Sequence, residues 1–163
     1  MSKTSDQKTF PHRPVGFWYW IVVLGWAIYL ISLSVPAVNT EGLLFFSDTE
    51  PGIGAATWAI MDIGSILAVD EHGSVYWVVS GLTNLLFLSS IVSLIRRKSS
   101  AGIGVLLLGS VLFNLGWLLE PSGTVDVSRD RLLVGYYLWI ASYVLVGVGQ
   151  SAWGWKQSTS QTS

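Results

Sequence analysis

The sequence predicts an all-α protein: a four-helix transmembrane bundle with one additional short amphipathic helix in its first exterior loop. Three observations carry that prediction. Four segments of about 20 residues contain no Asp, Glu, Lys, Arg or His, and a bilayer takes about 20 apolar residues to cross. Only 12% of the 163 residues are charged, against about 25% in an ordinary soluble domain. The charges also sort by sign from one connector to the next, in the way that orients membrane helices.

The elements follow in chain order. Residues 1–15 are polar and basic and read as a cytoplasmic tail. The first span is 16–35, "GFWYWIVVLGWAIYLISLSV". Its apolar run is longer than the 7–15 residues of a signal-peptide core, so it reads as a retained anchor despite the small residues of "VPA" at 35–37. Pro36 stops it and opens an acidic exterior connector, "NTEGLLFFSDTEPG". The second span is 75–95. The basic turn "RRKSS" that follows is so short that the third span, 101–119, must be its antiparallel neighbour. A second exterior connector, "EPSGTVDVSRDR", leads to the fourth span, 132–153. Residues 16–153 thus form one membrane domain, and 154–163 form a polar cytoplasmic tail.

Residues 52–69, "GIGAATWAIMDIGSILAV", are apolar too, but Asp62 lies at their middle. A carboxylate at the bilayer centre costs on the order of 3 kcal/mol. Ile53, Ala56, Ile60, Ile63 and Leu67 recur at helical spacing, so about 53–69 reads as a helix lying on the membrane surface or over the bundle. Charge placement agrees. With four spans, Lys3, Lys8, Arg13, Arg96, Arg97, Lys98 and Lys156 fall inside, and only Arg129 and Arg131 fall outside. A fifth span would leave five bases against four and erase that asymmetry. The expected location is a bacterial cytoplasmic membrane, multi-pass, with both termini in the cytoplasm.

Several function classes are excluded or unsupported. The chain has no cysteine, which removes disulfides, thiol redox chemistry, Fe–S clusters and Cys-ligated zinc. A formal net charge of −1 gives no footing for nucleic acid. His12 and His72 fall on opposite sides of the membrane, so one chain cannot build a bis-His haem or a His-cluster metal site. No ionisable residue inside a span marks an ion path. No metal and no cofactor is expected, apart from a bound lipid. Asp62 and Glu120 are the exterior acids on which an enzyme reading would rest, and no reaction follows from them.

Packing devices are more plentiful. Gly102, Gly109 and Gly116 stand seven apart on the third span, and Gly135, Ser142 and Gly149 stand seven apart on the fourth. Missing side chains let helix backbones come close, so these two stripes are the expected helix-packing faces, within the bundle or between copies.

Polar side chains gather toward the exterior ends of the spans. Asn84 lies about 13 Å in from the outer end of its span at 1.5 Å per residue. Tyr29, Asn114, Trp117, Trp139 and Tyr143 lie in the same half. An unpaired amide in hydrocarbon costs several kcal/mol, so Asn84 and Asn114 must face protein. Two readings are open. The plainer is interhelical hydrogen bonding, worth about 0.6 kcal/mol per contact on average. The other is an outward-opening pocket lined by Tyr29, Asn84, Asn114, Trp117, Trp139 and Tyr143, able to take a lipid headgroup or another amphipathic molecule. Tyr136, at the boundary, reads as an interfacial belt residue, whereas Tyr143 is too deep for that and needs an internal partner.

The stretches "GWAIYLISLSVPA" (Gly25–Ala37), "NLLFLSS" (Asn84–Ser90) and "GYYLWIASYVLVGVG" (Gly135–Gly149) together resemble a pattern in small four-span bacterial membrane proteins of unassigned activity. The resemblance implies a cytoplasmic-membrane location and transfers no catalytic residue. The expected function is that of a non-enzymatic integral membrane protein, an interaction or accessory subunit of a membrane assembly. Its partners would be membrane lipids and either further copies of itself or a larger membrane complex. The alternative is a binder or carrier of a lipid-like or other amphipathic small molecule in an outer-leaflet pocket.

Overall fold

The computed structural model describes residues 16–39, 49–57, 75–118 and 132–159. It is mostly helical and of the all-α class, as expected. Helix α1 is Phe17–Ser34, α2 is Val75–Arg96, α3 is Ala101–Asn114 and α4 is Val134–Thr159. Two helical stretches, Phe17–Ser34 and Val79–Arg96, are long and apolar enough to cross a membrane; Ala101–Asn114 is apolar but shorter. Of the expected surface helix, 52–57 is helical, and 58–69 with Asp62 lies outside the described residues. So do the N-terminal tail, the last four residues, both histidines and most of the two exterior connectors.

Three elements differ from expectation. The third span ends as an α-helix at Asn114 and continues as a 3-10 turn, Leu115–Leu118. At the junction Asn114 Nδ2 donates to Ser110 O at 2.8 Å, a side-chain bond to the carbonyl that its own backbone N–H would use. The fourth helix runs to Thr159, beyond the expected end at 153, because nothing between Trp153 and Thr159 breaks it. The third difference is a short antiparallel ribbon, β1 (Pro36–Asn39) with β2 (Thr49–Pro51), where only a loop was expected. Two prolines and strands of three and four residues give it no sequence signal. Its hold is tertiary: Gly52 N–H donates to Val35 O at 3.0 Å, and Leu133 N–H donates to Ala37 O at 2.9 Å. The ribbon therefore ties the end of α1 to the start of α4.

Helix α4 is the hub. It packs most extensively on α1 and next on α3, whereas the backbone of α2 stands farther from α1 and α4. Glycines make the close approaches. A Cβ on Gly25 would lie 2.6 Å from Val146 Cγ2, and one on Gly149 would lie 2.7 Å from Val22 Cγ2. On α3 the close glycine is Gly104, whose absent Cβ would collide with Ser151 and would lie 2.6 Å from Gly147 O.

Within the chain, the packing face of α3 is therefore not the stripe expected. Gly102 and Gly109 are exposed, and a Cβ at Gly109 would meet nothing within 4 Å. Gly116 is half-buried in the 3-10 turn. The inward face of α3 is Gly104, Leu107, Val111 and Asn114, whose steps of three and four follow the helical period. On α4, Gly135, Ser142 and Gly149 are all buried, but Gly149 faces α1 and Gly135 faces the carbonyls of Val35 and Pro36, not α3.

The turn after α2 closes as a Schellman motif: Lys98 N–H donates to Ser93 O at 3.1 Å and Arg97 N–H to Leu94 O at 3.2 Å. Arg97 takes the left-handed conformation there, with φ 49, which usually falls to glycine.

These contacts separate two glycines that look alike in sequence. Gly104→Leu should destabilise the folded chain by about 3 kcal/mol or prevent folding, since overpacking a tight contact alone costs about 1–3 kcal/mol. Gly109→Leu should leave the thermal unfolding midpoint in detergent essentially unchanged. Equal losses from both would show that the α3–α4 contact is placed wrongly.

Candidate functional site

The buried face of α2 is built from small polar residues. Ser80, Thr83, Asn84, Ser90 and Ser93 share one helical face with Phe87, and all are buried. The opposite face, Leu82, Leu85, Leu88, Ile91, Val92 and Ile95, is exposed and apolar. Its small polar residues are thus turned inward, with Phe87 among them.

Asn84 is the convergence point. Its Oδ1 accepts from Tyr143 Oη at 3.0 Å, from Trp139 Nε1 at 3.1 Å and from Tyr29 Oη at 3.4 Å. An indole N–H can only donate, so the atom it faces must be the amide oxygen, which fixes the orientation of the carboxamide. Asn84 Nδ2 donates to Ser80 O at 3.2 Å. One turn along α2, Phe87 is stacked between Tyr29 and Tyr143, with ring centroids at 4.4 and 4.6 Å and planes within 26° of parallel. The two tyrosines therefore clasp Phe87 with their rings and Asn84 with their hydroxyls. Helices α1, α2 and α4 meet in this unit.

Two further polar layers flank it. Toward the ribbon, Asn114 Oδ1 accepts from Ser80 Oγ at 2.8 Å, and its Nδ2 donates to Thr83 Oγ1 at 3.1 Å. Tyr136 donates to the Asn114 carbonyl at 2.6 Å. Tyr136 is buried, so it is not the belt residue expected; Tyr137 is the exposed one of the pair. At the other end Trp26 Nε1 donates to Ser90 Oγ at 3.1 Å, and Gln150 Nε2 donates to Ser90 O at 3.3 Å. Ser99 Oγ lies 2.6 Å from Gln150 Oε1, its partner as acceptor.

A pocket lies between the Asn84 layer and the ribbon. Its cavity volume is about 70 Å³, and with its open mouth the free space reaches about 600 Å³. Leu33, Val38, Ala55, Leu132 and the rings of Tyr136 and Trp139 supply most of the wall, and Ser80 and Asn84 lie at its polar side.

The sequence-derived pocket residues are thus distributed as follows. Asn84 and Trp139 line the pocket. Tyr29 and Tyr143 stand behind Asn84 and are committed to it. Asn114 belongs to the neighbouring layer. Trp117 falls in the 3-10 turn, and its side chain lies outside the described residues. Sequence reasoning missed Ser80, Thr83 and Phe87, although the three-and-four recurrence of small polar residues on the second span was there to be read. Among the described residues no His, Asp and Glu come together in a group able to hold a metal.

Comparison with known proteins finds no matching family model, no matching curated protein and no matching solved structure. Function must therefore be argued from the site itself.

The Asn84 unit makes a sharp energetic prediction. Asn84→Leu strips one acceptor from two buried donors and one half-buried donor and should cost about 3 kcal/mol of stability. Tyr143→Phe leaves that oxygen two donors and should cost about 1 kcal/mol. In the Asn84→Leu background, Tyr143→Phe should cost nothing, a coupling read from a double-mutant cycle of unfolding in detergent. Strictly additive losses would mean that the two side chains do not depend on each other.

Proposed function

We propose that this chain is a non-enzymatic integral membrane protein that crosses the bilayer four times and serves as an interaction or accessory subunit of a membrane assembly. The observation that carries the reading is the inversion of polarity between the inside and outside of the bundle. The interior holds Asn84, Asn114, Gln150 and a series of serines, all at 3% exposure or less for the three amides. The exterior of every helix carries large apolar side chains: Leu24 and Leu30 on α1, Leu82 on α2, Leu112 on α3, Val148 on α4. A water-soluble domain arranges these the other way round. In the two apolar windows, only 22% and 39% of residues are buried within the chain, so they are not core helices hidden from their surroundings.

Lengths are compatible with four crossings. At 1.5 Å per residue α1 reaches about 27 Å, α2 about 33 Å and α4 about 39 Å, and α3 with its 3-10 turn reaches about 29 Å, against a hydrocarbon thickness of about 30 Å. The tyrosines, tryptophan and glutamine of α4 lower its hydropathy, but Tyr136, Trp139, Tyr143 and Gln150 have their polar atoms paired inside the protein. A paired hydroxyl or indole does not carry the insertion cost that hydropathy assigns to it. The pairing of Asn84, Asn114, Gln150, Tyr136, Trp139 and Tyr143 across helices supports a packing and assembly role for these groups. The pocket beside Asn84 favours a second reading, in which the same membrane protein holds a lipid-like molecule.

The absence of native cysteines makes the topology directly testable. Single cysteines at Arg97 and at Ser158 should be labelled by a membrane-impermeant maleimide only after the cells are opened. A cysteine at Thr49 should be labelled in intact cells. Labelling of the Arg97 position in sealed cells would overturn the four-span arrangement.

A further inference from the structure

The pocket at the ribbon end supports one more inference, which rests on the four-span membrane reading above. Polar groups occur on its wall, but each side chain already makes a hydrogen bond within the protein. Ser32 Oγ donates to Tyr29 O at 2.7 Å, and Ser80 Oγ donates to Asn114 Oδ1 at 2.8 Å. Tyr136 donates to Asn114 O at 2.6 Å, and Trp139 Nε1 to Asn84 Oδ1 at 3.1 Å. Asn84 itself accepts from three donors and gives an N–H to Ser80 O. What remains of the wall is aliphatic and aromatic: Leu33, Val38, Ala55, Ala56, Leu132 and the ring faces.

Counting partners decides what fits. A cavity of about 70 Å³ has room for roughly five waters at 10–15 Å³ each, and each would need two to four polar partners. The wall offers few: one N–H of Asn84 and the spare lone pairs of the Ser32, Ser80 and Tyr136 hydroxyls, against an otherwise aliphatic and aromatic surface. A polar headgroup meets the same difficulty and would have to break the Asn84 unit to be held. Hydrocarbon needs no partner. Its removal from water, or from a looser lipid environment into close-packed walls, is favourable through contact alone.

The walls are also fixed in advance. The ribbon is pinned to α1 by the Gly52–Val35 hydrogen bond and to the start of α4 by the Leu133–Ala37 hydrogen bond. Gly52 presses against the Ser32 carbonyl, and a Cβ on Gly135 would lie 2.7 Å from Pro36 O, so neither seam has slack. A preformed, mostly apolar, half-open recess suits a ligand recognised by shape.

We propose that this pocket binds the hydrocarbon end of a single linear acyl chain, tail inward, with the polar end left outside the protein. The ligand class is therefore a membrane lipid tail, not the headgroup that a polar pocket would select. The Asn84 unit acts as the closed floor of the pocket and not as its recognition element.

The test uses the full-length chain reconstituted into phosphatidylethanolamine–phosphatidylglycerol vesicles. One sample contains a phospholipid bearing a diazirine at the end of one acyl chain; another contains a free fatty acid bearing the same group. After irradiation, adducts are mapped by peptide mass spectrometry. The proposal expects adducts on the wall residues Leu33, Leu132 and Trp139 as well as on the exterior residues Leu88 and Leu112. Whichever probe labels the wall identifies the source of the tail. Ala56→Phe and, separately, Ala55→Phe should abolish wall adducts and keep exterior ones, and Ala56→Ser should keep both. Exterior adducts without wall adducts in the parent protein would overturn the proposal and leave the membrane reading standing. Wall adducts that persist in both phenylalanine variants would overturn it too. No adducts anywhere would overturn both readings.

Discussion

The helical fold is organised around one carboxamide oxygen. Asn84 Oδ1 receives two tyrosine hydroxyls and an indole N–H from α1 and α4, the helices that α2 otherwise approaches least closely. The separation explains the residues. Long aromatic side chains are needed to span it, and their polar tips then need an acceptor at its far side. Phe87, one turn along, fills the space between the same two tyrosine rings. Packing and hydrogen bonding are thus satisfied by one set of side chains, and removing the acceptor would leave several buried donors orphaned at once.

Around that unit the helices follow two different rules. Helices α1, α3 and α4 come close by leaving side chains out, at Gly25, Gly104 and Gly149. Helix α2 joins them by reaching across with polar and aromatic groups at three levels, through Asn114, Asn84 and Ser90. In lipid there is little hydrophobic gain from bringing apolar helices together, so close van der Waals fit and internal hydrogen bonds are the terms available. On the four-span reading proposed above, both are present and each is assigned to a different helix pair. The ribbon adds a third connection by pinning the end of α1 to the start of α4, and the apolar pocket forms in the angle it makes with the helices.

Much of this was legible in the sequence, and the exceptions have physical reasons. Helix positions followed from long uncharged runs, because burial of the backbone in an apolar setting permits little but helix. The need of Tyr143 for an internal partner was legible from its depth, and Asn84 was identified as a residue that must face protein. The choice between Gly104 and Gly109 was not legible. Both lie on a glycine-containing face, and only the phase of α3 relative to α4 distinguishes them. The ribbon was not legible either, since Pro36 and Pro51 argue against strands and its hold comes from pairs distant in sequence, Gly52 with Val35 and Leu133 with Ala37. The pairing of the polar residues was not legible for a related reason. Sequence shows which polar groups share a depth, but not that they have already used one another as partners.

The central claim is that the polar side chains around Asn84 and Ser90 are spent on partners within the protein and shielded from water. The most direct measurement is hydrogen exchange at the indole N–H groups, followed by nuclear magnetic resonance of the ¹⁵N-labelled chain in lipid nanodiscs. Trp139 and Trp26, bonded to Asn84 and Ser90, should exchange slowly, while Trp20 and Trp155, exposed on the outside near the helix ends, should exchange fast. Exchange at Trp139 as rapid as at Trp155 would mean that water reaches Asn84, and the account of a closed, self-satisfied interior would not stand.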